Sequence, residues 1–121
     1  MRTFFIFTHL LMRVHLIKKQ SVNDFVRAHT RSKTSFEDWL ERLKWADWQS
    51  PEDIRDTFST ADFLGNGSRR AVFDIGGNNY RVICKYVFGS NNVRLYVCWI
   101  GTHAEYTTLC RRGLQYSINQ F

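Results

Sequence analysis

The chain contains 121 residues, with a formal net charge of +6 and a pI near 9.6. This length supports a single hydrophobic core and excludes two separate cores. Apolar residues make up 44% of the chain and aromatic residues 16%, as in a folded globule, and the positive charge favours a polyanionic partner.

The first eleven residues form an apolar prefix. Its hydrophobic run, Phe4 to Phe7 followed by Leu10 and Leu11, is too short to cross a bilayer, and no small-residue cleavage site follows it. We therefore expect residues 1–11 to be an N-terminal extension, and the start of the protein is either Met1 or Met12. The predicted domain covers residues 12–110, and residues 111–121 are a C-terminal tail without a clear pattern.

A strand and three helices are predicted in the first half of the domain. Residues 13–17 form the strand, Ser21 is the expected N-cap of the first helix, and Ser35 opens the second. Ser50-Pro51 combines a capping serine with proline at the first helical position, and it begins a brief third helix. The apolar and aromatic residues expected to face the core from these segments are Val22, Phe25, Val26, His29, Phe36, Trp39, Leu40, Leu43, Trp45 and Trp48.

The second half is predicted to be a three-stranded antiparallel meander followed by a short helix. The strands are residues 69–75, 80–88 and 93–100, joined by turns rich in glycine and asparagine at 76–79 and 89–92. Thr102 and Glu105 have the spacing of a capping box, so the last helix begins there and ends near Gly113. The fold class is therefore α+β, with an N-terminal strand, two or three helices, the meander and a C-terminal helix.

Basic residues concentrate in this meander. Between Leu64 and His103 the chain has five basic residues and one acidic residue, Asp74, which gives a net charge of +4. The basic residues are Arg69, Arg70, Arg81, Lys85 and Arg94. Alternation along the middle strand predicts an open face that carries Arg81, Ile83 and Lys85. In the last strand, alternation groups Leu95, Val97 and Trp99 on the core face, and it places Arg94 and Tyr96 on the open one.

These residue types fit the chemistry of RNA cleavage. The reaction requires a base for the 2′-OH proton, an acid for the leaving oxygen and cations for the charge that develops on phosphorus. His103 and Tyr106 are candidates for proton transfer, and Tyr96 and Trp99 are candidates for stacking on bases. Each also has a structural interpretation, since a histidine near a helix start is often a capping or packing residue and aromatic residues are often core.

The sequence gives no sign of a metal site or another cofactor, and none is expected. Its histidines, carboxylates and cysteines lack metal-ligand spacing. The three cysteines, Cys84, Cys98 and Cys110, also lack a disulfide framework, which favours a reducing compartment such as the cytoplasm.

Two short motifs give the sequence a family resemblance. They are Phe73-Asp-Ile-Gly-Gly-Asn78, continuing to Tyr80-Arg81, and Gly101-Thr-His-Ala-Glu-Tyr106. Supporting positions are Trp48, Ser50-Pro51, Asp53-Ile54-Arg55, Phe58 and Ala61-Asp62. In this order and spacing the motifs resemble those of the HigB-type toxins of bacterial toxin–antitoxin systems, which belong to the RelE-like superfamily. The resemblance extends over about residues 12–109 and implies the compact RelE-like fold.

The resemblance also implies a function and partners. It implies an mRNA endoribonuclease that acts on ribosome-bound message. It also implies a HigA-type antitoxin with a helix-turn-helix, and the toxin would contact operator DNA only through this antitoxin. No membrane association is implied. The expected catalytic residues are Arg81, His103, Tyr106 and Lys85. Arg81 would stabilise the charge of the transition state with help from Lys85. His103 and Tyr106 would transfer protons, and the sequence leaves open which is the base and which is the acid. The expected RNA-binding residues are Arg69, Arg70, Asn78, Arg94 and Tyr96.

Two alternatives to an enzyme are considered. A non-catalytic RNA- or ribosome-binding module, such as an inactive toxin remnant, would use the same basic sheet. A DNA-binding repressor is disfavoured because no helix-turn-helix pair with a basic recognition helix is evident. Thr107 stands where family members tend to have an acidic residue, so the motifs alone do not guarantee full activity.

Overall fold

The chain folds into a five-stranded sheet with helices packed on both of its faces. The computed structural model describes residues 10–121, so the predicted extension lies outside the described residues except for its last two positions. The elements are β1 (Arg13–Ile17), α1 (Lys19–Ala28), α2 (Lys33–Trp45), α3 (Ile54–Thr57), β2 (Asp62–Phe63), β3 (Arg70–Ile75), β4 (Tyr80–Phe88), β5 (Asn92–Thr102) and α4 (His103–Arg111). The predicted α+β class and the order of its main elements are confirmed.

The sheet has the strand order β1-β5-β4-β3-β2. The meander of β3, β4 and β5 is antiparallel, whereas β1 lies parallel to β5 at the edge because the helical segments separate the two strands along the chain. β2 has only two residues, too few for an alternation pattern, and the sequence did not predict it. No helix within residues 10–121 is long and apolar enough to cross a membrane.

The first face of the sheet packs against α1, α2 and α3. Side chains from both layers form the main hydrophobic core, and its largest fully buried members are Trp48, Phe36, Phe73, Ile54, Ile75, Leu95, Val22 and Val82. The prediction that Trp48 closes this core is confirmed. The same prediction for Trp45 is wrong: its side chain is 63% exposed, and its indole nitrogen donates a hydrogen bond to Glu41 at 2.8 Å.

The predicted N-caps of the first two helices, Ser21 and Ser35, each lie three residues too late, because the observed N-caps are Lys18 and Ser32. α1 begins at Lys19 because Lys18 adopts a left-handed conformation, with φ of 72°, and turns the chain directly out of β1. α2 begins at Lys33 because a 3₁₀ turn, Thr30–Ser32, leads straight into it. The third start is as predicted, since Ser50 and Asp53 form a reciprocal capping box at the 3₁₀ turn that precedes α3.

The second face of the sheet is covered rather than open at the end nearest α4. A smaller apolar cluster lies there, made of Val72, Ile83, Cys98, Trp99 and Leu109. The prediction that Arg81 and Ile83 lie on an open face is therefore wrong, because 7% of Arg81 and none of Ile83 is exposed.

A register shift in the sheet explains why Trp99 belongs to this second cluster. Ile83 pairs with Trp99 but Cys84 pairs with Val97, so Cys98 is an extra residue in β5. The extra residue reverses the alternation beyond it. Val97 therefore packs in the main core, whereas Trp99, which simple alternation placed beside Val97, packs on the opposite face.

The C-terminal tail completes the second cluster. Leu114 and Ile118 pack against its apolar residues, and the backbone N–H of Gln120 donates to the carbonyl of Cys98 at 2.8 Å. Arg70, of which 7% is exposed, donates to the carbonyl oxygens of Ile118 at 2.7 Å and Gln115 at 3.2 Å. The tail is therefore packed on the sheet by apolar and polar contacts together.

Removing residues 114–121 should destabilise the protein. The deletion exposes the second cluster and leaves the buried Arg70 guanidinium without its two carbonyl acceptors. We expect the free energy of unfolding to fall by about 3 kcal/mol or more, measured by urea denaturation. Tyr116→Ala, at an exposed tail position, is the matched control and should change stability little. An unchanged urea midpoint for the deletion would contradict the assigned contacts.

Candidate active site

The two sequence motifs meet where the β3–β4 turn touches the start of α4. Gly76 and Gly77 both have φ of 64°, a left-handed conformation that glycine adopts without a steric penalty. The turn projects the carbonyl of Asn79 toward α4, where it accepts a hydrogen bond from the backbone N–H of His103 at 3.0 Å. This bond joins the glycine-rich motif to the histidine-containing motif.

Arg81 lies behind the turn with its guanidinium held from several directions. Its Nε donates to Oδ1 of Asp74 at 3.0 Å, one Nη donates to Oδ1 of Asn78 at 2.7 Å, and the other donates to the carbonyl of Tyr80 at 2.9 Å. Because these acceptors surround the planar group, its orientation is fixed by the protein.

Sequence reasoning missed Asp74 as a functional candidate. The sequence could have predicted the pairing of Asp74 with Arg81, because a hairpin turn at residues 76–79 places residue 74 opposite residue 81. The structure has this register, with Asp74 paired to Arg81 across the two strands. Opposite charges at directly opposed positions on one face attract each other, which makes Asp74 the residue that orients Arg81.

The start of α4 is fixed by a capping box and a close backbone approach. Thr102 Oγ1 accepts from the N–H of Glu105 at 3.2 Å, and Glu105 Oε1 accepts from the N–H of Thr102 at 2.8 Å, as predicted. A Cβ at Gly101 would lie 2.4 Å from the Trp99 ring and 3.0 Å from Glu105. Only glycine therefore lets the Trp99 ring lie under the strand-to-helix junction.

Tyr106 lies half-buried one helical turn beyond this junction. Its ring contacts Trp99, with ring centroids 6.1 Å apart. Burial raises the pKa of the Tyr106 hydroxyl well above its usual value, and a hydrogen bond with the Cys110 thiol adds to the rise. The charge of Arg81 lowers the same pKa, so the guanidinium lies within electrostatic range of the hydroxyl. The Tyr106 hydroxyl is therefore protonated and neutral at physiological pH.

His103 is the first residue of α4 and is exposed to solvent. Its position beside the β3–β4 turn leaves the imidazole free to approach a ligand. Thr107, at the position that departs from the family pattern, donates its hydroxyl to the His103 carbonyl at 3.1 Å. The Asn79–His103 hydrogen bond therefore links the turn that carries Asn78 and precedes Arg81 to the helix that carries His103 and Tyr106.

The other predicted site residues lie farther along the sheet. Lys85 is exposed and pairs across the strands with the half-buried Tyr96, and the exposed Arg94 lies on the same face. Lys85 follows Arg81 by four residues, or about 13 Å along a strand, so it is not part of the junction. Arg69 is exposed in the loop before β3, with φ of 54°. Arg70 is occupied by the tail carbonyls, which disfavours it as an RNA contact.

Among residues 10–121, no group of three or more histidine, cysteine, aspartate or glutamate side chains is arranged to hold a metal ion.

The fold and the motifs of the junction are those of a RelE-like toxic component of a toxin–antitoxin system. In particular, residues 32–109 match the HigB_toxin family, which carries that description, and the chain belongs to this family. The matched range contains the glycine-rich turn, Arg81, His103 and Tyr106. The resemblance based on the two motifs is therefore confirmed.

Individual relatives give the same result. An mRNA interferase HigB from Escherichia coli O6:H1 (strain CFT073) is 32% identical over 98 residues, which are 81% of this chain and 93% of the relative. An mRNA interferase toxin HigB from Escherichia coli K12 is 26% identical over 93 residues, 77% of this chain and 88% of the relative. An mRNA interferase HigB from Shigella flexneri has the same identity and coverage.

Gly101→Ala should strain the junction, because the added methyl group would overlap the Trp99 ring. We expect a loss of stability of about 2 kcal/mol, measured by urea denaturation. Trp99→Leu removes the overlapping ring atoms, so the double variant should lose less than the sum of the two single losses. Additive losses would show that the methyl group and the ring do not meet.

Tyr106 should make stability fall at high pH. Its pKa is raised in the folded protein, so its contribution is complete below pH 10 and is lost above it, because the unfolded chain releases the proton first. Tyr106→Phe should therefore show a smaller fall between pH 10 and 11 than the unmodified protein, measured by urea midpoints. Tyr116→Phe is the control and should follow the unmodified protein. Equal falls for both variants would contradict a perturbed Tyr106.

Proposed function

We propose that the protein is an endoribonuclease that cleaves mRNA on the ribosome and thereby arrests translation and growth. The observation that supports this proposal is the hydrogen bond between Asn79 and His103, which joins the turn just before Arg81 to the start of the helix that carries His103 and Tyr106. The names of the relatives, mRNA interferases, support the same reaction.

The proposed mechanism uses side chains alone. His103 takes the proton of a ribose 2′-OH, the 2′ oxygen attacks the adjacent phosphorus, and the bond to the 5′ oxygen breaks as Tyr106 donates its proton to that oxygen. The products are a 2′,3′-cyclic phosphate and a 5′-OH. A protonated Tyr106 hydroxyl cannot take a proton, so we assign the acid to Tyr106 and the base to the exposed His103.

Arg81 stabilises the extra negative charge on phosphorus in this mechanism. Asp74 and Asn78 hold the guanidinium before the RNA arrives, so little reorganisation is needed at the moment of reaction. The carboxylate of Asp74 also cancels part of the positive charge. We therefore assign Arg81 an orienting role at the phosphate and expect other cations to supply most of the attraction for RNA.

Those other cations lie along the path proposed for the message. Lys85, Arg94 and Arg69 are exposed and would contact successive phosphates, and Tyr96 would stack on a base. Compared with the assignment made from sequence, Lys85 moves from the phosphate that reacts to a neighbouring one, Arg70 is left out because it binds the tail, and Asn78 holds Arg81 instead of the RNA.

Membership of the family implies a cognate antitoxin. We propose that the antitoxin is of the HigA type, with a helix-turn-helix that binds operator DNA on behalf of the complex, and that the toxin acts in the cytoplasm. The -4 balance of residues 34–57, which carry seven acidic and three basic side chains, supports a basic contact surface on that partner.

Inducing the full chain from a tightly repressed promoter tests the proposal. Growth should stop, and internal mRNA ends bearing 5′-OH should appear. His103→Ala combined with Tyr106→Phe should lower the frequency of such ends by about 100-fold or more, because both proton-transfer groups are lost. Tyr116→Phe, an exposed tyrosine of the tail, is the matched control and should cleave normally.

Growth arrest without new mRNA ends, persisting in the double variant, would replace the enzyme with a non-catalytic RNA- or ribosome-binding module. Normal growth with soluble, folded protein would contradict both functions.

A further inference from the structure

The chain enters the described domain along a path that its hydrogen bonds define. Residues 10–13 run antiparallel to residues 47–49, to which they are joined by an isolated β-bridge and a backbone hydrogen bond of 3.1 Å. At the end of this pairing, Nε2 of Gln49 donates to the carbonyl of Leu10 at 2.6 Å. Because the two segments run in opposite directions, the chain at Leu10 points toward residues 50–51.

An apolar groove of about 420 Å³ begins at those residues. Its walls include the segment 49–51 and the last residues of β4, which are Tyr86, Val87 and Phe88. The rings of Tyr86 and Phe88 meet in a T-shaped contact with centroids 5.9 Å apart, and all three β4 side chains are half-buried. A concavity lined by half-buried aromatic and aliphatic side chains suits an apolar occupant.

The segment that leads to Leu10 carries apolar groups that match this groove. Residues 1–9 lie outside the described residues, and their sequence includes four consecutive apolar side chains, Phe4-Phe5-Ile6-Phe7. Phe7 precedes Leu10 by three residues, at most about 10 Å of extended chain, so it can reach the groove from the carbonyl that Gln49 holds. Residues 3–8 carry no charged side chain, so their burial would strand no charge.

We propose that the groove binds residues 4–7 of the same chain. Contact of these side chains with water is unfavourable, and the groove is the apolar surface toward which the chain at Leu10 already points. The N-terminal extension is then part of the folded protein instead of an accessory segment. The groove lies at the end of β4, whereas the junction of Asn79 and His103 lies at its start, so the inference does not depend on the proposed function.

Nuclear Overhauser effects in the full chain test the contact directly. The ring signals of Tyr86 are assigned with Tyr86→Phe, and the methyl signals of Ile6 are assigned with Ile6→Val. We expect Overhauser effects between residues 4–7 and the side chains of residues 86–88, and their loss when Phe5→Ser and Phe7→Ser are combined. The absence of any such effect in the unmodified protein would overturn the proposal.

Urea denaturation measures the same contact through stability. Phe5→Ser combined with Phe7→Ser should lower the urea midpoint, because the groove loses its apolar occupant. Leu11→Ser, at a leucine of the same segment that is 52% exposed, is the matched control and should change the midpoint little.

A charge placed in the groove wall completes the test. In a Val87→Asp background, the two serine substitutions should lower the midpoint by less than about half as much, because the occupied groove is already lost. Equal losses in both backgrounds would contradict the assigned contact. If Val87→Asp does not fold, the Overhauser effects decide the question alone.

Two other destinations for residues 4–7 would each overturn the proposal. Sedimentation equilibrium should give the mass of one chain, and a dimer that the serine substitutions dissociate would assign the segment to a second copy. Binding to phosphatidylcholine vesicles that these substitutions abolish would assign it to a lipid surface. None of these measurements involves RNA, so their failure would leave the proposed function standing, and a failure to cleave mRNA would leave the groove assignment standing.

Discussion

The ion pair between Arg81 and Asp74 is the interaction on which the candidate site depends. It crosses the β3–β4 hairpin at the position that the glycine turn dictates, and Asn78 and the Tyr80 carbonyl each accept from one Nη of the guanidinium. A charge that is only 7% exposed carries a large desolvation penalty, which these three partners offset. The pair therefore contributes a fixed guanidinium direction more than net stability.

The β5–α4 junction determines what that guanidinium faces. The extra residue Cys98 turns Trp99 to the second face of the sheet, and Gly101 leaves room for its ring beneath the start of α4. Tyr106 then packs on Trp99, and His103 reaches Asn79. A bulge, a glycine and a capping box thus act together, and the loss of any one would displace the histidine and the tyrosine relative to Arg81.

The sequence predicted correctly those elements whose geometry is determined by residues close together along the chain. The bounds of β4, the glycine turn, the Ser50 cap and the Thr102–Glu105 cap all follow from residues close together in sequence. The bulge at Cys98 escaped prediction because alternation assumes an uninterrupted ladder. The docked tail escaped it because Leu114 and Ile118 have no periodic pattern. The burial of Arg70 depends on the docked tail, because the tail supplies its two carbonyl acceptors.

The sheet divides between different residues the two tasks that the sequence analysis assigned to it as a whole, which are attracting RNA and orienting the phosphate. A guanidinium neutralised by Asp74 attracts RNA weakly over distance, whereas exposed Lys85, Arg94 and Arg69 project positive charge into solvent. In the proposed reaction, the exposed cations therefore gather the message and the buried arginine orients one phosphate. Removing an exposed cation would then weaken binding at all sequences alike and reduce its salt dependence, since each phosphate contact releases counterions. Removing Asp74 would instead leave binding largely intact and misdirect the guanidinium, so the loss would appear in the cleavage step.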